Sequence, residues 1–141
     1  MSKLSSGYKK RYVSRVTAKV LRADTGDFLS LVVKGLINVF VSDEAFINDT
    51  PIPVSLARSI IESVRPDRPI ALHLGYIEYE ADLMLEVGDY GLRVTQGDRE
   101  IFAIEFHGDR AVILTPEDAY EIEHTECLRE SLRHGVTAYV Y

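Results

Sequence analysis

Histidine and cysteine are the side chains most able to supply a metal ligand or a nucleophile, and this sequence contains four histidines and one cysteine. His124, Cys127 and His134 lie within about 80° of one another if their segment is helical, because each residue turns a helix by about 100°. A second candidate is the pair of His107 and Asp109, which could act as a general base and the carboxylate that orients it. These two groups are the first places to look for an active site or a metal site.

A structural role explains both groups more simply. Tyr120, Leu128 and Leu132 fall on the same helical face as the histidine-cysteine group, which is typical of a stripe that packs on a sheet. The spacing also differs from that of zinc sites, which supply paired ligands a few residues apart twice over. Asp109 stands in a His-Gly-Asp turn, where aspartate commonly bonds its own backbone. We therefore expect no catalytic residue, no metal and no cofactor, and keep both groups as alternatives.

Carboxylates form a third candidate site on a predicted strand. Apolar and acidic residues alternate from Ile77 to Val87, so that one face of the strand is apolar and the other is acidic. The acidic members are Glu78, Glu80, Asp82 and Glu86. Carboxylates two residues apart on a strand stand about 7 Å apart, a separation that suits a hard cation or glycoside chemistry. The stripe lacks accompanying histidines, so we interpret it as a solvated or protein-binding surface.

Alternation and turn residues predict that most of the chain forms antiparallel strands. Asp24 to Asp27 is a turn signal between two strand-like runs. Over 70–114, glycines interrupt the alternation at short intervals, and compact turns stand at 96–98 and 107–109. Such short connections leave no room for crossover helices, so we predict a consecutive antiparallel meander over 70–114.

Two segments have the pattern of helices. Apolar residues at three- and four-residue steps predict an amphipathic helix over about 53–65. Thr115 precedes a proline and two carboxylates, as at the start of a helix, and Gly135 is a stop signal, so a second helix is predicted over about 115–134. The predicted fold class is α+β: a mostly antiparallel twisted sheet with two helices packed on one face.

The composition is that of an ordinary folded domain. The 141 residues are 46% hydrophobic and 27% charged, which suffices for one core. We therefore assign residues 1–8 to a mobile N-terminal arm and residues 9–141 to a single α+β domain. The lone cysteine excludes an intrachain disulfide, and no segment has the form of a signal peptide or approaches about 18 consecutive apolar residues. These observations predict a cytoplasmic protein that does not cross a membrane.

Charge is distributed unevenly along the chain. The formal net charge is −6, but residues 1–22 carry +7 and no acid, which leaves −13 for residues 23–141. A negative total argues against nucleic-acid binding by the molecule as a whole. The phosphate-binding loop, the dinucleotide-binding glycine motif and the nucleophile elbow are all absent, so these enzyme classes gain no support.

The basic N-terminal segment suggests a different kind of ligand. Lys10, Arg11 and Arg15 could contact a phosphate, and Tyr8 and Tyr12 beside them could stack on nucleic acid. The Arg11-x-x-x-Arg15 pattern before a β-rich region is similar to the arginine pair that opens PilZ domains, which implies binding of a cyclic dinucleotide. The similarity covers five residues, and the family's Asp/Asn-x-Ser-x-x-Gly turn has no counterpart after Arg15. Direct nucleic-acid binding is expected only through this arm.

Three functional hypotheses fit these observations. The first is a non-enzymatic binding or inhibitory protein that uses an acidic surface to engage a basic protein partner. The second is a homo-oligomeric structural or assembly protein, in which the basic arm of one chain rests on the acidic body of another. The third is a small-ligand, nucleotide-type binding module or a small enzyme. For the first hypothesis, the predicted partner-binding residues are Glu78, Glu80, Asp82, Glu86, Glu117, Asp118 and Glu121.

Overall fold

The computed structural model describes most of the chain between residues 12 and 130. The described ranges are 12–32, 37–67, 71–73, 75–88, 91–123, 125–126 and 128–130. The predicted N-terminal arm, residues 1–8, lies outside them, and so does the part of the second predicted helix after residue 130.

Strands dominate the described secondary structure. In chain order the elements are β1 (Tyr12–Ala23), β2 (Gly26–Val32), β3 (Ile37–Val41), β4 (Ala45–Ile47), β5 (Thr50–Ile52), α1 (Val54–Ser63), β6 (Ala71–His73), β7 (Tyr76–Gly88), β8 (Gly91–Gln96), β9 (Arg99–His107), β10 (Arg110–Leu114) and β11 (Ala119–Ile122). A short helical segment that includes Glu126 and residues 128–130 follows β11.

The strands form one antiparallel sheet. Its order is β11-β10-β9-β8-β7-β1-β2-β3-β4-β5, and β6 pairs with β7 beside this path. The predicted meander is confirmed, because β7, β8, β9 and β10 are consecutive neighbours joined by short turns. Within the described residues the sheet has eleven strands, of which β4, β5 and β6 are only three residues long.

Helix α1 packs on the face of the sheet that we call the inner face; the opposite side is the outer face. The helix begins directly after Pro53, whose extended backbone sets its first turn. It contacts β2, β3 and β4 on one wing and β9 on the other, although β3 and β9 are five steps apart in the sheet. The sheet therefore curls around the helix as a half-barrel. The buried helix residues are Leu56, Ala57, Ile60 and Ile61, and the first predicted helix is confirmed.

The second predicted helix, over about 115–134, is wrong for residues 115–122. The N–H of Asp118 donates to the Thr115 hydroxyl (3.0 Å), and the N–H of Thr115 donates to the carbonyl of Asp118 (2.9 Å), which makes a turn. A hydroxyl that accepts from the N–H three residues later, with proline between them, occurs both at helix starts and in β-turns. The next residues alternate between exposed and more buried as strand β11. The fold is therefore dominated by its sheet rather than by two helices.

The segment after α1 lies along the edge of β7 and is held there by side chains. The N–H of Asp67 donates to the carbonyl of Glu80 (3.1 Å), and the Asp67 carboxylate accepts from the N–H of Asp82 (2.7 Å). The Gln96 amide accepts from the N–H of Arg65 (2.9 Å) and donates to its carbonyl (2.7 Å), as a neighbouring strand would. These contacts cover an otherwise open stretch of edge on β7 and tie it to the β8–β9 turn.

Tyr79 links β7 to the same segment from the inner face. Its side chain is 7% exposed, and its hydroxyl donates to the carbonyl of Val64 (3.3 Å). Burial raises the pKa of Tyr79 above its ordinary value of 10.0, and the nearby Arg22 guanidinium offsets part of this rise.

The raised pKa predicts a stability change at alkaline pH. An unfolded tyrosine ionises near pH 10.0, whereas folded Tyr79 holds its proton to higher pH. The free energy of stabilisation that protonated Tyr79 contributes is therefore present in full below pH 10, and it is lost as the pH rises through the pKa of the folded state. We expect the difference in unfolding free energy between wild type and Tyr79→Phe to be largest below about pH 10 and to shrink above it. Urea unfolding at several pH values measures this difference, and one that grows with pH would contradict the assignment.

Candidate functional site

The four carboxylates of the predicted stripe lie on the outer face of β7. Glu78, Glu80, Asp82 and Glu86, which we call the acidic stripe, are half-buried and alternate with buried residues of the inner face. The sequence pattern therefore identified the face of this strand correctly. Whether the stripe binds a partner stays a prediction.

Basic residues of β1 flank the acidic stripe. In the pairing of β1 with β7, Lys19 stands opposite Glu80 and Arg15 opposite Met84, so both basic side chains share the outer face with the stripe. The ammonium group of Lys19 lies 3.4 Å from a carboxylate oxygen of Glu78. Part of the basic N-terminal segment is thus paired within its own chain, and the stripe is less negative than its sequence alone suggests. Lys10 and Arg11 lie outside the described residues.

Other exposed carboxylates lie in turns between the strands. Strands β1, β3, β8 and β10 run in the same direction, because every pairing between neighbours is antiparallel. The turns that follow these four strands therefore leave the sheet in one direction, although the register places the β10–β11 turn level with Val13, at the other end of β1 from Asp24. Each turn carries at least one exposed carboxylate. We call these residues the acidic tip group: Asp24, Asp43, Glu44, Asp98, Glu117 and Asp118.

Two of these turns are joined to each other. The Ser42 hydroxyl of the β3–β4 turn donates to the carbonyl of Thr25 in the β1–β2 turn (2.8 Å). Gly26 allows this close approach, because a Cβ there would lie 2.7 Å from the carbonyl oxygen of Val41. Asp24 and Asp43 are consequently held on adjacent tips.

An open cleft of about 660 Å³ lies between these two tips and α1. Arg22 lines it and forms ion pairs with Asp27 (3.5 Å) and Glu62 (3.6 Å). Arg58 lines it from the helix, is exposed, and makes no ion pair with any residue in the described ranges. Arg22 is already paired, whereas the Arg58 guanidinium in the same cleft reduces the net negative charge beside the tips. The cleft is also where the small-ligand hypothesis would place its ligand.

The predicted residues near β11 are divided between two surfaces. Glu117 and Asp118 belong to the acidic tip group, and the Asp118 carboxylate also accepts from the N–H of Ala119 (2.8 Å). Glu121 lies on β11 and pairs with Arg110 of β10 (3.3 Å). Because the second helix is absent here, these carboxylates do not form the helical surface that the sequence predicted.

The histidine candidates are not assembled into a site by the described residues. His107 pairs with Glu105 (3.2 Å) rather than with Asp109, and all three belong to the exposed end of the β9–β10 hairpin or its flanks. The carbonyl of Asp109 accepts from the Thr125 hydroxyl (3.1 Å), which ties the turn to the helical segment after β11. His124, Cys127 and His134 lie outside the described residues. Within the described ranges, no three histidine, cysteine or acidic residues are grouped as a metal site.

Four members of the acidic tip group were not among the binding residues predicted from the sequence: Asp24, Asp43, Glu44 and Asp98. The available signal was local, since each occupies a turn between strand-like runs. Their common direction depends on the pairing of β1 with β7, which joins residues far apart in the chain.

Comparison with protein-family models, with curated proteins and with solved structures found no match to this chain. In the described part of the chain, no helix is both long enough and apolar enough to cross a membrane.

Proposed function

We propose that this chain is a non-enzymatic binding or inhibitory protein that acts in the cytoplasm and engages a basic protein partner through its acidic surface. The observation that carries the proposal is the part of the acidic tip group on two adjacent turns that a hydrogen bond joins, the exposed carboxylates of Asp24, Asp43 and Glu44.

The physical basis of the proposed binding is long-range attraction. A single exposed carboxylate contributes little, because water and salt screen it, but several on one surface add up to a field that steers a basic partner. Such a field acts mainly on the association rate and weakens as ionic strength rises. The half-buried acidic stripe on β7 extends the negative surface along the outer face, while Lys19 and Arg15 reduce its charge.

The test starts from affinity capture in native cell extract at low salt, followed by salt-step elution and identification of the released protein. With the purified partner, we expect Asp43→Lys combined with Glu44→Lys to weaken binding at low salt by about tenfold or more, because it reverses two charges of the tip group. The matched control is Glu123→Lys combined with Glu126→Lys, which changes the net charge equally. Both control residues are exposed and follow β11 away from the tips.

Two results would count against the proposal. If the tip variant and the control weaken binding equally, net charge rather than the acidic tip group is responsible. If capture returns only the bait, and the bait sediments as an oligomer that dissociates in salt, the arm-to-body assembly becomes the better explanation.

A further inference from the structure

Apolar side chains form a continuous row across five strands on the outer face. The strand register pairs Leu21 with Phe28, Phe28 with Phe40, Phe40 with Phe46, and Phe46 with Pro51. We call these five residues the apolar ladder. Directly opposed residues on one sheet face stand about 5 Å apart, so the ladder is a contiguous surface.

The apolar ladder faces away from the core. Phe40 is 41% exposed, whereas its neighbours Val39 and Val41 on the inner face are 0% and 1% exposed. Pro51 is also exposed, and the other members are partly exposed. Scattered apolar residues on a surface are ordinary, but a contiguous apolar row that includes an exposed phenylalanine is typical of a binding surface.

The charges around the ladder identify the kind of partner that it suits. Asp43 and Glu44 follow Phe40 within four residues, and Asp24 stands on the adjacent tip. At the other end of the ladder, Glu78 is opposite Leu21 in the sheet but is paired with Lys19, so the acidic margin of the ladder is the one beside the tips. A segment that covered the ladder would therefore meet carboxylates at the margin beside the tips, and basic side chains next to apolar ones would complement both surfaces.

Two other occupants fit less well. A second copy that packed its own ladder on this one about a two-fold axis would bring the same acidic margins together, and like charges brought together are unfavourable. A strand added to the edge of β5 would meet Pro51, which has no N–H to donate, at the centre of a three-residue strand.

We propose that the apolar ladder, with its acidic margin, is the docking surface for a basic segment of the partner that carries apolar or aromatic anchor residues. This inference rests on the proposed function and deepens it: the acidic tip group attracts the partner, and the ladder binds its apolar anchors. Apolar contact supplies short-range affinity that persists at high salt. Affinity that comes from charge alone weakens as the salt concentration rises.

The test uses three short fluorescent peptides of equal length: repeats of Lys-Lys-Phe, of Lys-Lys-Ser and of Glu-Glu-Phe. Binding to the full chain is measured by fluorescence anisotropy at low and moderate salt. We expect the Lys-Lys-Phe peptide to bind about tenfold more tightly than the Lys-Lys-Ser peptide, and the Glu-Glu-Phe peptide to bind most weakly. On Phe40→Ser, the preference for Lys-Lys-Phe over Lys-Lys-Ser should fall to about twofold or less.

The matched control is Val13→Ser, since Val13 is 51% exposed on the outer face of β1 but lies outside the ladder. It should leave the preference unchanged. Pro51→Ser is a second ladder variant, on the edge strand, and should reduce the preference independently of Phe40. Circular dichroism of each variant checks that the sheet is retained.

The possible outcomes separate the two proposals. Equal binding of both basic peptides, abolished by salt and by Asp43→Lys with Glu44→Lys, would overturn the docking inference and leave the proposed function standing. Tight binding of the Glu-Glu-Phe peptide, or no binding of either basic peptide, would overturn both. Self-association of the wild type that Phe40→Ser abolishes would assign the ladder to a second copy and overturn the inference.

Discussion

Gly91→Ala should lower the free energy of unfolding by about 3–5 kcal/mol, the combined effect of backbone strain and overpacking. Gly91 begins β8 with φ of 146°, a conformation that residues with a Cβ rarely adopt. A Cβ at this position would lie 1.9 Å from the carbonyl oxygen of Ile104 on β9. That oxygen belongs to the backbone of a central strand, so relief requires the two strands to separate.

The control for this change is Gly97→Ala in the β8–β9 turn. Gly97 also has positive φ, 63°, but a Cβ there would meet no atom within 4 Å. Only the conformational cost remains, so we expect a loss of about 1 kcal/mol. Urea unfolding of both variants measures the two losses. If they were equal, the close approach of β8 to β9 at Gly91 would be refuted.

The hairpins of this sheet could be predicted from sequence because their signals are local. Asp24 to Asp27 and the glycine turns at 97 and 108 interrupt alternating runs, and each becomes a turn between antiparallel neighbours. The same local chemistry also produced the main error. Thr115 and Asp118 make the hydrogen bond expected at a helix start. The residues that follow nevertheless form strand β11, in which exposed and more buried side chains alternate.

The candidate site depends on contacts that local patterns do not contain. The acidic tip group exists because β1 pairs with β7, more than fifty residues away, which sets the direction of every later strand relative to the first hairpin. The apolar ladder requires the registers of four strand pairs at once. Phe28, Phe40 and Phe46 stand on separate short strands, so no periodicity within one segment reveals that they are neighbours.

Phe102→Ala should lower the free energy of unfolding by about 3–5 kcal/mol, because it leaves a cavity in the core. Phe102 is fully buried and stands opposite Val94 on the inner face of β9. The wing of the sheet that contains β9 also contacts α1, so the loss of this ring weakens the packing that maintains the half-barrel. Urea unfolding, monitored by circular dichroism, gives the free energy.

The same substitution on the opposite face provides the comparison. Phe40→Ala should cost about 1 kcal/mol or less, the range of a cross-strand pair on an exposed face. If Phe40→Ala instead cost as much as Phe102→Ala, the Phe40 ring would be part of the structural core, and its exposure would no longer point to a partner. A small loss would mean that folding alone does not require a phenylalanine at position 40. In that case the partner contact that we propose for the apolar ladder would account for an exposed phenylalanine at this position.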